Sequence, residues 1–217
     1  MPSRYSDDLA EISTQAIQRL GLRNQAREQA LPASREVIRF SANAIRAVHR
    51  GEFDGARQLL DRAAKRLKDM ETIREDNPEI YFAGFMIDAR KEYTEAHVTL
   101  AVLSGGKLPK PQDLGVEPSA FLNGMAEVIG EVRRYILDSL RRDSFDNCQE
   151  LMDVMDEIYS ILLTVDFPEG VTGGLRHSTD QMRGVLERTR GDLTMALRQS
   201  KLELRLAQWE EQRGAGD

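Results

Sequence analysis

The sequence predicts an all-α fold, a single-domain bundle of about six to seven helices over residues 1–217. Three observations lead there. The chain is rich in Leu, Ala, Glu, Arg and Met, which favour helices, while aromatic residues make up only 6% and prolines number 7. Apolar residues recur at spacings of three and four along almost the whole length, as on a helix with one buried face. No segment alternates with period two, so no sheet is expected. With 217 residues, 41% of them hydrophobic, the chain can bury one good core and is long for two.

The elements follow in order. A first helical segment runs from about Asp7 to Leu31, where Pro32 marks a kink or a new first turn, because proline lacks the donor a helix interior needs. A second runs from about Ala33 to Arg50 and stops at Gly51. A third starts near Phe53, with Leu59, Leu60, Ala63, Leu67 and Met70 at helical spacing. Asp76-Asn77-Pro78 reads as a cap followed by a first-turn proline, opening a fourth helix to about Leu103. Ser104 to Val116, with three glycines and two prolines, reads as a loop. A fifth helix covers about Ser119 to Arg142 and a sixth about Phe145 to Val165. After a loop from Pro168 to Gly174, the last helix runs from about Leu175 past Trp209, and residues from about 210 form a polar tail. The amphipathic last helix, with Leu193, Leu197, Leu204 and Trp209, is expected to make subunit contacts.

Charge and cysteine content narrow the function. A net charge of −6 does not suit a protein that coats polyanions over its whole surface, but leaves room for one that gathers its arginines in one place. The lone Cys148 precludes an intrachain disulfide and a cysteine-based zinc site. The start, Met1-Pro2-Ser3-Arg4-Tyr5-Ser6-Asp7, lacks the apolar core of a signal peptide, and no run is long enough to span a membrane. A soluble cytoplasmic protein is the expectation. None of His49, His97 and His177 has a Glu three residues before it, which disfavours a di-iron bundle. Neither a Gly-Lys-Ser/Thr phosphate loop nor a G-x-S-x-G elbow occurs, and no organic cofactor site is expected.

Two patterns carry chemistry. On the second segment, Arg35, Arg39, Arg46 and Arg50 fall within an arc of roughly 60°, beside an apolar arc of Val37, Ile38, Ser41, Ala44, Ile45 and Val48. Like charges at this spacing repel, so carboxylates or phosphates should face them, and arginine's planar fork suits phosphate. On the fourth, Asp88, Glu92 and Glu95 lie at i, i+4 and i+7 on the edge of the apolar face, with Tyr81 and Phe85 earlier on the same stripe. Stacked carboxylates beside apolar groups are costly to ionise, and a divalent cation such as Mg²⁺ or Mn²⁺, which prefers oxygen ligands, relieves that cost and supplies hydrolytic chemistry. Further acids sit on the fifth helix (Glu127, Glu131) and the sixth (Asp153, Asp156, Glu157). The competing reading pairs all of them with Arg90, Lys91, Arg133 and Arg134.

Three ordered stretches resemble the translin family and its Trax branch, most closely the prokaryotic Trax-like members. They are Ser34-Arg35 through Ala44-Ile45-Arg46-Ala47-Val48-His49-Arg50-Gly51; Lys91-Glu92-Tyr93-Thr94-Glu95-Ala96; and Phe121-Leu122-Asn123-Gly124 through Gly130-Glu131-Val132-Arg133-Arg134 to Met155-Asp156-Glu157-Ile158-Tyr159. The resemblance spans roughly residues 30 to 195. It implies an all-α subunit, a homo-oligomeric octameric shell, binding of single-stranded RNA and possibly single-stranded DNA, and a Mg²⁺-dependent endoribonuclease of the Trax type. Its alternative is a non-catalytic, translin-like binding oligomer. Glu92 and Glu95 match the Trax glutamates. The third acid, an aspartate in Trax, falls at Glu157, with Asp153 or Asp156 as neighbouring choices; Asp153, Glu131 and Asp88 complete the candidate metal ligands. Glu131 and Arg134 match a shared Gly-Glu-x-x-Arg pattern, and Arg35, Arg39, Arg46, Arg50 and Arg134 become the candidate nucleic-acid contacts. Tyr81, Phe85 and Tyr93 are candidates for base stacking.

Overall fold

In the computed structural model, which describes residues 3–214, helices account for the regular structure and no strand occurs among the described residues. The all-α expectation holds. The helices are α1 (Ser6–His49), α2 (Phe53–Asp69), α3 (Glu71–Asp76), α4 (Pro78–Tyr81), α5 (Gly84–Ser104), α6 (Pro111–Leu114), α7 (Pro118–Leu140), α8 (Cys148–Leu163), α9 (Glu169–Thr172) and α10 (Leu175–Gly214). Their contacts group into two compact units, Met1–Ala96 and His97–Asp217, with the division inside α5. Among the described residues no helix is long and apolar enough to cross a membrane.

The first unit is built on α1 packed against α2. Val37, Phe40, Ala44, Ile45 and Val48 of α1 and Ala56, Leu60 and Ala63 of α2 are buried. Each large apolar side chain removed from water this way contributes about 1.5–3 kcal/mol before entropy is counted. Gly51 makes the turn between them. At φ +76 it lets Gly51 N–H donate to the Val48 carbonyl (2.9 Å) and Glu52 N–H to the Ala47 carbonyl (2.9 Å), closing the helix end with its carbonyls satisfied.

Two expectations are corrected here. Residues 6–49 form one helix and not two, with Pro32 inside it. Pro32 and Glu28 are both exposed, so water can take the Glu28 carbonyl that loses its helical donor. Conversely, the fourth helix is broken: Pro78–Tyr81 forms one turn after Asn77, whose backbone is non-helical, and the chain restarts at Gly84. The Asn77 side chain makes no cap hydrogen bond. The break is held from within, because the buried Arg90 donates from Nη1 to the Tyr81 carbonyl (3.0 Å) and lies 3.9 Å from the centre of its ring. The Tyr81 hydroxyl in turn donates to Glu71 Oε1 (2.6 Å), tying α3 to this knot. A helical carbonyl and a buried cation thus satisfy each other, which continuous helix would not permit.

The second unit is a bundle of α7, α8 and α10. Val128, Ile129, Val132 and Ile136 of α7, Met152, Met155, Ile158 and Leu162 of α8, and Met182, Leu186 and Leu193 of α10 fill its core. Polar ties fix the register. Arg133 donates to Thr189 Oγ1 (2.9 Å) and pairs with Asp192 (2.9 Å), and Arg190 grips both oxygens of Asp156 (2.6 and 2.8 Å). Asn123 Nδ2 donates to the Thr172 carbonyl (2.7 Å), anchoring the one-turn α9 that replaces the expected loop after Pro168. α6 is likewise one helical turn within the loop expected from Ser104 to Val116.

Candidate metal centre and arginine face

α5 carries Glu92 and Glu95 nearly one turn apart, so their side chains leave the helix on neighbouring faces. Glu95 is buried, at 8% exposure, and Glu92 is half-buried. Half-buried Glu127 of α7 completes a group of three: one carboxylate oxygen from each of Glu92, Glu95 and Glu127 lies within 4.8 Å of the others. An all-oxygen set of this kind fits a hard divalent cation and excludes the soft metals that want sulfur or imidazole.

Glu127 was not among the residues singled out as ligands. A signal for it exists: the stripe Ala120, Gly124, Glu127, Glu131 on α7 puts two small buried residues just before the acid, where backbone can be approached closely.

The other candidate acids lie elsewhere. Glu157 is exposed and lines a groove of about 510 Å³ with Tyr135, Glu150, Val154, Ile158 and Ile161; it is not a member of the three-carboxylate group. Asp153 is exposed and accepts from Gln149 Nε2 (2.9 Å), while Asp156 is held by Arg190. Glu131 is 3.7 Å from Arg134, the intrachain ion pair that the Gly-Glu-x-x-Arg pattern allowed. Asp88 is exposed on α5.

The arginines of the C-terminal half of α1 form an exposed face beside its buried stripe, with Arg35, Arg39, Arg46 and Arg50 all at the surface. Their present partners are local. Arg39 pairs with Glu36 (3.2 Å), Arg46 donates to Asn43 Oδ1 (2.6 Å), and Arg50 forks onto both oxygens of Glu52 (2.8 and 2.7 Å). That hydrogen bond raises the Arg50 pKa and lowers that of Glu52. Arg35 has no carboxylate partner among the described residues, and Arg134 of α7 is exposed. Arg66 of α2 reaches the same Glu36 (2.6 Å), and Arg62 lies 4.4 Å from the centre of the Phe40 ring, which Arg39 also approaches. One carboxylate therefore serves two guanidiniums with a third beside them. Exposed ion pairs of this kind exchange readily with a competing anion.

The aromatic candidates divide. Tyr81 and Tyr93 are buried, at 1% and 4% exposure, and Tyr81 is already engaged by Arg90 and Glu71. Burial, reinforced by the charge of Asp61, pushes the Tyr93 phenol up to about 12, so it stays neutral. Phe85 is half-buried and lines an α1 groove with Leu20, Arg23 and Arg27.

No family model matches the sequence. An uncharacterized protein of Methanocaldococcus jannaschii is 28% identical over 185 residues, covering 84% of this chain and 82% of that protein. Among solved structures, AfC3PO in complex with duplex RNA is 36% identical, with a TM-score of 0.78, covering 84% of this chain and 95% of its own. A crystal structure of AfC3PO also at 36% identity superposes with a TM-score of 0.77. Apo-NeC3PO, at 16% identity, covers 90% of this chain and 99% of its own with a TM-score of 0.72, a likeness of fold.

Proposed function

The chain belongs to the translin/Trax family of C3PO-like proteins, and on that premise we propose that it binds RNA and hydrolyses its phosphodiester bonds with a divalent cation held by Glu92, Glu95 and Glu127. The observation that carries the catalytic part is the convergence of the three carboxylates within 4.8 Å. The RNA-binding part is supported by the likeness to AfC3PO, whose structure was determined with duplex RNA, and by the exposed arginine face of α1.

The residues fit the group they would hold. Glu92, Glu95 and Glu127 supply anionic oxygen ligands, and burial of Glu95 limits competition from bulk water. Bound there, Mg²⁺ or Mn²⁺ would lower the pKa of a water molecule and neutralise charge on a phosphate. The chain's own contribution is positional. α5 fixes Glu92 and Glu95 on one rigid element, and the knot of Arg90 with Tyr81 fixes where that helix starts. Arg35, Arg39, Arg46 and Arg50 would hold the strand by its phosphates without reading bases. Single-stranded RNA is the proposed substrate, as the family resemblance implies, with duplex RNA, the ligand of the AfC3PO complex, as its comparison in the test. Glu157, the acid the family resemblance supplies as the third, is the competing third ligand. Assembly into a homo-oligomeric, octameric shell belongs to the same proposal.

The test is incubation of the purified chain with labelled single-stranded RNA, duplex RNA and single-stranded DNA, with Mg²⁺, Mn²⁺ or EDTA, beside Glu92→Ala/Glu95→Ala. Cation-dependent cleavage of RNA that EDTA stops and the double variant lacks, with binding retained, is the expected outcome. Binding without cleavage under every cation would leave the non-catalytic translin-like reading. Arg39→Glu/Arg46→Glu checks the arginine face separately. Loss of two phosphate contacts should flatten the dependence of log affinity on log salt by about 0.7 per contact for a single strand. An unchanged salt slope removes that face from the binding surface.

A further inference from the structure

The threonines of this chain behave alike, with one exception. Thr14, Thr72, Thr94, Thr164, Thr172, Thr179, Thr189 and Thr194 each turn the hydroxyl back onto a backbone carbonyl three or four residues earlier, as helical threonines commonly do. Thr99 of α5 does not. It is buried, at 0% exposure, and its Oγ1 has no hydrogen-bond partner among the described residues. Its neighbour Thr94, on the same helix and equally buried, donates to the Arg90 carbonyl (2.9 Å), so the helix itself does not forbid the usual bond. A buried hydroxyl without a partner costs free energy that a valine of the same shape would not.

The place of Thr99 on α5 says what that hydroxyl adjoins. At about 100° per residue it falls about 20° from Glu92 and about 40° from Glu95, between the two around the helix axis. It stands about 6 Å beyond Glu95 along the axis, one turn on. Helical side chains lean toward the N-terminus, so Thr99 leans toward the glutamates. Glu95 is itself buried, and its carboxylate gathers with those of Glu92 and Glu127 within 4.8 Å. One stripe of α5 thus carries two acids of the group and, at its floor, a hydroxyl that the protein leaves unengaged.

We propose that Thr99 is a positioning residue of the carboxylate site, its Oγ1 hydrogen-bonding a water molecule in the shell of the cation that Glu92, Glu95 and Glu127 hold. The inference rests on the reading of those three carboxylates as a cation site and adds to it a neutral oxygen. A hard cation the size of Mg²⁺ takes six oxygens in near-octahedral order and gives up its waters reluctantly, so three carboxylates leave positions for water to fill. Water on a dication is a strong donor and needs an acceptor beyond the ion. A hydroxyl oxygen accepts that bond without adding negative charge to a site that already gathers three acids. Partners of this outer kind orient what surrounds the ion and tune its affinity.

Calorimetric titration of Mn²⁺ into the full-length chain, without RNA, tests this. Glu92→Ala/Glu95→Ala should abolish the binding heat, which ties the signal to the carboxylates. Thr99→Val should weaken Mn²⁺ binding by about tenfold or more, the loss usual for an outer-shell partner, while the melting temperature of the cation-free protein stays level or rises. Thr99→Ser keeps the hydroxyl and should bind nearly as the unsubstituted chain does. Thr94→Val removes a hydroxyl about 140° away around α5 and should leave the affinity unchanged. Binding that needs the glutamates but is equal in Thr99→Val would overturn the role of Thr99 and leave the carboxylate site standing. A loss in Thr99→Ser as large as in Thr99→Val would assign the effect to the methyl group and overturn it too. So would a Thr99→Val chain that melts several degrees lower or fails to fold, because the hydroxyl would then serve the fold. No Mn²⁺ binding by the unsubstituted chain, or binding indifferent to the double glutamate variant, would remove the carboxylate site and this inference with it.

Discussion

α5 and α8 look alike in sequence and differ in the folded chain. Each carries acids at the margin of an apolar face: Asp88, Glu92 and Glu95 on one, Asp153, Asp156 and Glu157 on the other. On α5 two of these acids join a third from α7 within 4.8 Å. On α8 the acids are dispersed, with Asp153 against Gln149, Asp156 locked to Arg190 and Glu157 at the rim of a largely apolar groove. Helical periodicity assigns a side chain to a face. What stands opposite that face is decided by tertiary packing.

The sharpest way to break this contrast is to remove one acid from each helix and measure RNA cleavage. Glu92→Ala or Glu95→Ala should lower the rate by at least about 100-fold, since loss of a direct ligand exceeds the roughly 10–100-fold cost of losing an outer-shell partner. Glu157→Ala should leave the rate within a small factor. Equal losses on both helices would return Glu157 to the ligand set, and a loss confined to α8 would exchange the roles of the two helices. Glu127→Gln sharpens the same point, because it keeps the shape of the side chain and removes its charge. It should weaken Mn²⁺ binding, followed by calorimetry on the full-length chain.

How much of this was legible before folding depends on range. Gly51 as a stop, Pro78 as a first-turn residue and the helices around Leu60, Val132 and Ile158 follow from local chemistry, and the structure has them. Glu92 and Glu95 were visible as a pair because they stand three positions apart on one helix. Glu127, thirty-two residues after Glu95, carries no local mark beyond the small residues that precede it. Pro32 misled as to a helix boundary because at that exposed position water can take the freed Glu28 carbonyl, which offsets part of what a proline costs a helix interior. The break at Phe82 was hidden for the opposite reason: it is held by Arg90, whose burial no pattern of charges announces.

Arg90 extends the comparison to stability. The start of α5 depends on one buried guanidinium, whereas α8 is tied down by an exposed pair. Arg90→Leu should cost about 2–3 kcal/mol in urea unfolding, mainly by leaving the Tyr81 carbonyl buried without a donor. Arg90→Lys should recover only part of this, because an ammonium lacks the planar fork with which the guanidinium both lies over the Tyr81 ring and donates to its carbonyl. A cost under 0.5 kcal/mol, of the size usual for surface changes, would mean that the break between α4 and α5 is held by something else.

The smallest effect is expected on α8. Asp156→Asn removes one partner of the Arg190 pair, which has good two-oxygen geometry but half-exposed side chains, at 40% and 53%. Water screens such a pair, so the loss should be at most about 1 kcal/mol and should shrink as salt is raised. RNA cleavage should not change, because Asp156 is spoken for by an arginine and stands outside the three-carboxylate group. Were the variant to lose cation-dependent cleavage while keeping its stability, the arginine would be a resting partner that a metal displaces, and α8 would have to be counted with α5 after all.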